Sequence, residues 1–533
     1  MTIPKILHFT WKTEDVPGKM GQYLKIWRAL HQNWEVRLWT DVSMRAFVVE
    51  TYPDFVAIYD AYSHPIQRAD SFRYLVLLEL GGVYADLDVE PFKNIDCLVE
   101  GLTCFAGLEP DEHMGADRHH SGTPYLVSNA FMGAVPGHAY FRLLVDLLPT
   151  VSSNADIFLS TGPALTTGGA VRLQRGDKPS LVSPCLWSPL CDGGEPCRSD
   201  DKLAAILSQD FDFIRLDREA IVSHYWLTSW VPWDKRHKWL AKPLHVLHDL
   251  KWTLRENLHP ELAAFNPLNA SKPFSDQTPK SLPEWPEVAV CIGQEDGSPL
   301  SGELIETLGG LDYPRDKVQV FLGMPVQHRQ GFAQDADLLR EQGFSTVERV
   351  LLPPADSAFE TSSPRSIAMM QSARLRNALA QEASQRAGWV LYIGDDVADV
   401  PALALKTALE TGYPVVGVAT INAEGREVDE SVYRYHWGGG IRVSYKIRGE
   451  DGVAANLRGQ RDWLSAHKAF RLLPLDGIGT GFALIASGVF AAGVQFAQEP
   501  YKMHLDGEGF ALMARANGFE VAGLTEIAVR RRV

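Results

Sequence analysis

Cysteine is scarce, with six in 533 residues. So few thiols over such a length do not make the disulfide framework of a small secreted domain. Cys185, Cys191 and Cys197 are evenly spaced in a Gly/Pro/Ser-rich stretch. They lack the close Cys pairs of zinc sites and read as free thiols in a loop. Positive charge is also in deficit: Lys and Arg total 51 against 66 Asp and Glu, a net charge of −15. A phosphate-backbone partner needs a basic face, so nucleic acid is not an expected partner. A small phosphorylated ligand stays open, because a bound cation reverses the local sign. No uninterrupted apolar stretch reaches about 18 residues, so no membrane span is expected. The N-terminus, Met-Thr-Ile-Pro-Lys, shows no signal-peptide pattern and enters a strand pattern at once. The expected compartment is the cytoplasm. The Arg530-Arg531-Arg532 run reads as a solvated end.

What is present is ordinary globular material, 45% hydrophobic and 22% charged, enough for a core in each of two large domains. A Pro/Ser/Asn-rich run near residues 257–286 marks a linker. The expected domains are therefore 1–258 and 287–533, joined by 259–286.

In the first half, Ile6 to Phe9 and Glu35 to Trp39 read as strands, and Asp41 as the cap of a helix. Ala69, Phe72, Val76 and Leu80 recur at helical spacing, and Gly81-Gly82 stops that helix. A β-rich run, Val83 to Leu87, follows. The second half restarts the alternation. Glu287 to Ile292 and Val318 to Leu322 read as strands, Gly302 to Leu308 and Ser366 to Ala387 as helices. Trp389 to Ile393 reads as a buried strand ending at Gly394-Asp395-Asp396. Strands alternating with helices predict an α/β fold with a mainly parallel sheet in each half.

Each half thus has a strand that ends in clustered aspartates. Asp86 and Asp88, two apart, would face the same way on a strand. Two carboxylates with room for water and phosphate suit Mg²⁺ or Mn²⁺. Such a cation bridges a diphosphate and neutralises charge growing on a nucleoside-diphosphate leaving group. Asp70 and Arg73, at i and i+3 on the preceding helix, project together. They read either as a sugar- and phosphate-binding pair or as a surface ion pair. In the second half, Asp395 and Asp396 follow a strand's carboxyl end, where α/β sheets bind ligands. Asp399, ahead of Pro401 and an apolar stretch, reads as a helix cap.

The motifs of the first half resemble glycosyltransferase family 32, which includes initiating α-mannosyltransferases. Those motifs are Ile3 to Trp11, Arg68 to Tyr74 and Gly81 to Asp88. Ser128 to Ala134, Ser160 to Pro163, and His224 with Ser229-Trp230 follow in order. The resemblance covers about residues 1–240. Ala85 stands where a larger apolar residue is common in the family. The resemblance implies a GT-A fold, a divalent cation and a retaining transfer in which the leaving phosphate helps deprotonate the acceptor. It implies Asp86, Asp88 and His224 for metal. It implies donor contacts from Thr10, Trp11, Asp70, Arg73, Tyr84, Asn129, Ser229 and Trp230.

The second half resembles glycosyltransferase family 62, the fungal mannan polymerase subunits. The segments are Ala373 to Leu379, Trp389 to Pro401, Leu475 to Gly481, Asp506 to Phe510 and Asn517 to Leu524. The match covers about residues 286–528. It implies a second GT-A domain in tandem, using GDP-mannose. Arg374 and Arg376 would touch the donor, and Asp395 and Asp396 the metal. Asp476 and Glu508 would lie near the acceptor. Asp396 matches the second acid of the family's Asp-x-Asp, while Gly394 stands at the first. Either Asp395 substitutes or metal binding is weakened. The family's late histidine is absent near Val529-Arg530.

The leading expectation is a bifunctional, metal-dependent retaining glycosyltransferase, an α-mannosyltransferase. GDP-mannose is favoured over a UDP-sugar, and the acceptor is a glycan or glycoconjugate. Two others stand beside it. One is a single active site with a C-terminal glycan- or nucleotide-binding module. The other is a metal-dependent nucleotide-sugar hydrolase.

Overall fold

The computed structural model describes residues 2–110, 125–154, 156–189, 207, 210–214, 220–225, 274, 276–294, 297–326, 332–352, 364–429, 433–435, 461–479, 481–501 and 504–532. The chain divides into two units. One comprises Met1–Lys251, Ser275–Gln277 and Ala466–Phe470; the other comprises Trp252–Phe274, Thr278–Ser465 and Arg471–Val533. Each is a mixed α/β assembly. Among the described residues, no helix is long and apolar enough to cross a membrane.

The first unit contains β1 (Ile6–Thr10), β2 (Glu35–Trp39), β3 (Gly82–Ala85), β4 (Val89–Pro91), β5 (Cys104–Leu108), β6 (Val127–Ala134), β7 (Ser180–Val182), β8 (Phe213–Ile214) and β9 (Val222–His224). Among the described residues, seven of these make one sheet, in the order β2-β1-β3-β6-β5-β7-β8. The strands run parallel except where β6 pairs antiparallel with β3 and β5. β4 and β9 form a separate antiparallel ribbon. The core beneath is aromatic and aliphatic, with Phe9, Trp27, Val83, Phe105, Phe131 and Trp187 fully buried. Trp27 also donates its indole N–H to the Val89 carbonyl at 2.8 Å, tying the ribbon to helix Gly18–Leu30. Truncating such a side chain costs about 3–5 kcal/mol.

Helix Asp41–Thr51 is capped by Thr40, not Asp41: Thr40 Oγ1 accepts from the Ser43 N–H and Ser43 Oγ from the Thr40 N–H. A hydroxyl one residue earlier reaches the free amides of the first turn, so Asp41 becomes the first helical residue. Helix Pro65–Glu79 starts at a proline, and every residue from Asp70 to Leu78 is buried. Leu80 closes it and Gly81, at φ 64°, turns the chain into β3. The glycine has no Cβ to resist that left-handed conformation. His8 on β1 pins this turn. Its Nε2 lies 2.9 Å from the Gly81 carbonyl, and its Nδ1 accepts the Trp39 indole N–H at 3.1 Å. With one ring nitrogen accepting, the other donates, so the imidazole is neutral. Burial pushes its pKa down to about 4.

The second unit contains β10 (Val288–Gly293), β11 (Val318–Pro325), β12 (Thr346–Leu352), β13 (Trp389–Gly394), β14 (Val397–Asp399), β15 (Val415–Ile421), β16 (Tyr433–Tyr435), β17 (Arg461–Trp463), β18 (Leu472–Pro474), β19 (Phe482–Ala486), β20 (Ala497–Tyr501), β21 (His504–Leu505) and β22 (Val521–Arg531). The main sheet has the order β12-β11-β10-β13-β19-β15-β22-β14, with β18 beside β22. β10, β11, β12 and β13 are mutually parallel, and β19 runs antiparallel between β13 and β15.

Three local expectations change here. The long helix runs Pro364–Ala383 and ends before Ala387. Asp399 is not a helix cap. It lies in β14, paired with Arg530 on β22, and the following helix, Ala404–Leu409, is preceded by Leu403. Arg530 and Arg531 form the last part of β22; Arg530 is exposed, as a solvated end is, while Arg531 is half-buried. Of the three cysteines that read as free thiols, Cys185 forms no disulfide among the described residues; Cys191 and Cys197 lie outside them.

Candidate metal and donor site

The acids of the first unit converge by a turn rather than by strand alternation. β3 ends at Ala85, and Leu87 and Asp88 lie in a turn closed by the Val89 N–H donating to the Asp86 carbonyl at 3.0 Å. Asp86 is anchored by its own N–H, 2.9 Å from the Ala130 carbonyl on β6. Val89 then pairs with His224 across the β4–β9 ribbon. This register brings the His224 Nε2 to 3.2 Å from Asp88 Oδ1. One ligand atom from each of Asp86, Asp88 and His224 lies within 4.8 Å of the others. The His224 ring is buried and stacks on Trp187, centroids 5.6 Å apart. Trp187 is seated in turn by its indole N–H on the Leu108 carbonyl, and by Gly107, where a Cβ would come within 2.6 Å of the indole.

Two carboxylates and an imidazole on so small a patch fit a hard divalent cation, through oxygen and nitrogen donors. The electrostatics agree. Burial raises the pKa of Asp86, Arg73 opposes, and the neighbouring Asp88 raises it further. A cation bound between the two carboxylates would offset that burial and like-charge penalty.

Behind the acids lies a buried polar layer. Arg73 is 2% exposed, so the pair with Asp70 is no surface ion pair. Its Nη2 sits 2.7 Å from Asp70 Oδ1, and its Nη1 lies 2.6 Å from the Asn129 carbonyl and 3.3 Å from Asp86 Oδ1. Its guanidinium carbon sits 4.4 Å from the centre of the Tyr84 ring. Asp70 also accepts from the Asn129 amide at 3.2 Å and from Thr161 Oγ1 at 3.0 Å. Burial pushes the Asp70 pKa up to about 6 while Arg73 opposes the rise. Tyr84 Oη donates to Asp86 at 2.9 Å, so Thr10, 2.9 Å from the same oxygen, is the donor to it. Asp70, Arg73, Tyr84, Asn129 and Thr10 therefore form one network reaching the metal acids. Trp11 is half-buried and packs against the core instead. Ser229 and Trp230 lie outside the described residues. His8, Thr161 and Trp187 were not singled out from spacing; no local pattern marks a residue whose role is to hold another.

The second unit's candidates are not brought together in this way. Among the described residues, Asp395 and Asp396 join no third metal-binding side chain. Asp396 Oδ2 faces Arg531 Nε at 3.0 Å, and the Asp395 carbonyl accepts from Arg532. Asp476 pairs with Arg515. Glu508, fully buried, pairs with His504 Nδ1 at 3.0 Å. Arg376 Nη1 is 3.6 Å from Asp506 Oδ1, and Arg374 is half-buried. Asp506, which opens the Asp506 to Phe510 segment, lies at a positive φ of 46°.

Residues 17–103 match the family model of a glycosyltransferase sugar-binding region containing a DXD motif. Asp70, Arg73, Tyr84, Asp86 and Asp88 fall inside that match. Inositol phosphoceramide mannosyltransferase 3 of Schizosaccharomyces pombe is 38% identical over 166 residues, 30% of this chain and 43% of that one. A mannosyl phosphorylinositol ceramide synthase of Saccharomyces cerevisiae is 38% identical over 139 residues, 26% of this chain and 33% of that one. The initiation-specific alpha-1,6-mannosyltransferase of S. pombe is 35% identical over 156 residues, 27% and 39% of the two chains. The chain thus spans less than half the length of these relatives. Among solved structures, residues 1–349 of S. aureus TarS are 14% identical with a TM-score of 0.29, covering 46% of this chain and 60% of that one. The mannosyltransferase PcManGT of Pyrobaculum calidifontis, in complex with GDP-Man and Mn²⁺, is 13% identical with a TM-score of 0.29, covering 55% and 67%.

Proposed function

We propose that the first unit is a metal-dependent, retaining glycosyltransferase site that moves mannose from GDP-mannose to a hydroxyl of a glycan or glycoconjugate. The observation that carries this is the convergence of Asp86, Asp88 and His224 within 4.8 Å, beside the buried Arg73. A divalent cation held there, Mn²⁺ or Mg²⁺, supplies charge neutralisation for a nucleoside-diphosphate leaving group. Arg73, fixed by Asp70, Asn129 and Tyr84, presents a rigid guanidinium next to the acids. Asp70, already accepting from three groups, acts chiefly by positioning Arg73 and Asn129. Three relatives named as mannosyltransferases or mannosyl-lipid synthases support mannose as the sugar. Two of those names point to inositol phosphoceramide, which makes a lipid-linked inositol the acceptor class to try first.

The test is transfer from GDP-mannose in Mn²⁺ by the wild type and by Asp86→Ala/Asp88→Ala. The double variant should lose turnover; if it transfers as well as the wild type, the site is misassigned. A nucleotide-sugar hydrolase would instead release free mannose with no transfer product across an acceptor panel.

A second reading makes the chain bifunctional, with a second GT-A domain over 287–533 beside one over 1–258. It is favoured by one observation: β10-β13-β19-β15 repeats the strand directions of β1-β3-β6-β5. Asp395→Ala/Asp396→Ala should then remove one of two transfer products.

A further inference from the structure

The two acid-bearing turns can be aligned residue by residue, each within its own unit. On the antiparallel side Ala85 faces Phe131, and Ile393 faces Phe482. One residue later, the Asp86 N–H donates to the Ala130 carbonyl at 2.9 Å, and the Gly394 N–H donates to the Gly481 carbonyl at 3.3 Å. Beyond the turn, Val89 pairs with His224, and Val397 pairs with Arg531. Gly394 therefore stands where the first unit has Asp86, Asp396 where it has Asp88, and Arg531 where it has His224.

Two of three ligand positions have thus lost their ligand. Glycine offers no side chain. Arginine stays protonated and has no lone pair to give a metal. Arg531 Nε lies 3.0 Å from Asp396 Oδ2 and its Nη2 3.7 Å from Asp429 Oδ2, so a fixed cation already neutralises the remaining acid. The metal implied for this half does not fit these residues.

A second guanidinium sits just upstream. Arg73 covers Tyr84, two residues before Asp86. Arg376 likewise lies 5.9 Å from the ring centre of Tyr392, two residues before Gly394, and 5.1 Å from that of Phe496. Arg376 is 7% exposed, and its Nη1 makes no hydrogen bond among the described residues. Beside it, Asp506 Oδ1 at 3.6 Å makes no hydrogen bond among the described residues either, while the same carboxylate is hydrogen-bonded to Ser372. Asp506 itself holds a backbone conformation that costs energy outside glycine. A buried guanidinium with an unused donor beside a sheet's carboxyl end is suited to a phosphate.

We propose that the second unit binds the diphosphate of a nucleotide sugar without a metal, Arg531 and Arg376 providing the positive charge that the first unit takes from a divalent cation. This rests on reading the second unit as a donor-binding unit.

The experiment uses the full chain carrying Asp86→Asn/Asp88→Asn, which removes the first unit's metal acids. GDP and UDP are titrated calorimetrically in EDTA and again in Mn²⁺. One of them should bind with the same affinity in both. Adding Arg531→Gln or Arg376→Gln should weaken it at least about tenfold, as loss of a charge-assisted phosphate contact does. Arg531→Lys, which keeps the charge, separates this from misfolding, checked by circular dichroism, and should retain most of the affinity. Adding Gly394→Asp/Arg531→His instead should make binding Mn²⁺-dependent. Binding that requires Mn²⁺ before that change, or that ignores both Gln substitutions, overturns metal-free recognition alone. No binding of either nucleotide overturns the donor-binding reading with it.

Discussion

The guanidinium of Arg73 lies over the ring of Tyr84, 4.4 Å from its centre, while the same tyrosine donates its hydroxyl hydrogen to Asp86. A cation above the ring and an anion at its edge make Tyr84 the link between the buried network and Asp86.

This geometry makes Arg73 intolerant of lysine. Lysine keeps the charge but loses the planar fork that serves Asp70, Asn129 and Asp86 together. Arg73→Lys should lower kcat/KM at least about a hundredfold, the scale of losing one preorganised donor. Arg73→Ala should also destabilise the fold by about 3–5 kcal/mol, because it leaves Asp70 buried and unpaired. Steady-state transfer kinetics and urea unfolding read the two effects; a Lys variant within threefold of wild type would refute the role.

Metal affinity should depend on His224 as well as on the acids. His224→Ala should weaken Mn²⁺ binding at least about tenfold, measured by electron paramagnetic resonance of free Mn²⁺. Trp187→Leu, which removes only the stacking partner, should have a smaller effect. An unchanged Mn²⁺ affinity in His224→Ala would remove the histidine from the site.

His8 predicts a specific acid sensitivity. Its pKa is about 4 in the fold against 6.5 unfolded. The unfolded state therefore takes up a proton first as pH falls, and stability is lost from about pH 6.5 down to about pH 4, then levels. Between pH 7.5 and 5 this contribution amounts to about 2 kcal/mol. His8→Gln should be less stable at neutral pH, yet its urea midpoint should vary less over that interval. Equal pH slopes for the two proteins would show that His8 is not the sensor.

Gly81 should resist even alanine. A Cβ there would meet Pro136 Cδ at 2.6 Å and the Ala134 carbonyl at 2.7 Å, with φ at 64°. Strain and overlap together should cost about 2–4 kcal/mol. Because the turn aims β3, Gly81→Ala should lose Mn²⁺ affinity in step with its lowered melting temperature. A stable variant with weakened metal binding would separate the two.

Much of the scaffold was legible because its signals are local. Glu35 to Trp39 alternates and forms β2 with those bounds; helix Gly302–Gly309 and strand Val288–Gly293 lie within a residue of their patterns. The errors sit where a neighbour one residue away competes. Thr40 outbids Asp41 as a cap, and Asp399 is drawn into a strand by pairing with β22.

The sequence alone determined which residues are the candidates for the first site. Asp70, Arg73, Asp86 and Asp88 fall within nineteen positions around one helix, one glycine turn and one strand, so short-range geometry places them close together. Tertiary structure decided the rest, because register cannot be read along a single strand. Only the pairing of Val89 with His224 brings a histidine beside Asp88, and only the pairing of Val397 with Arg531 puts an arginine at the equivalent place. Those two partners come from segments more than a hundred positions along the chain, so the same Asp-rich turn meets a histidine in one unit and an arginine in the other.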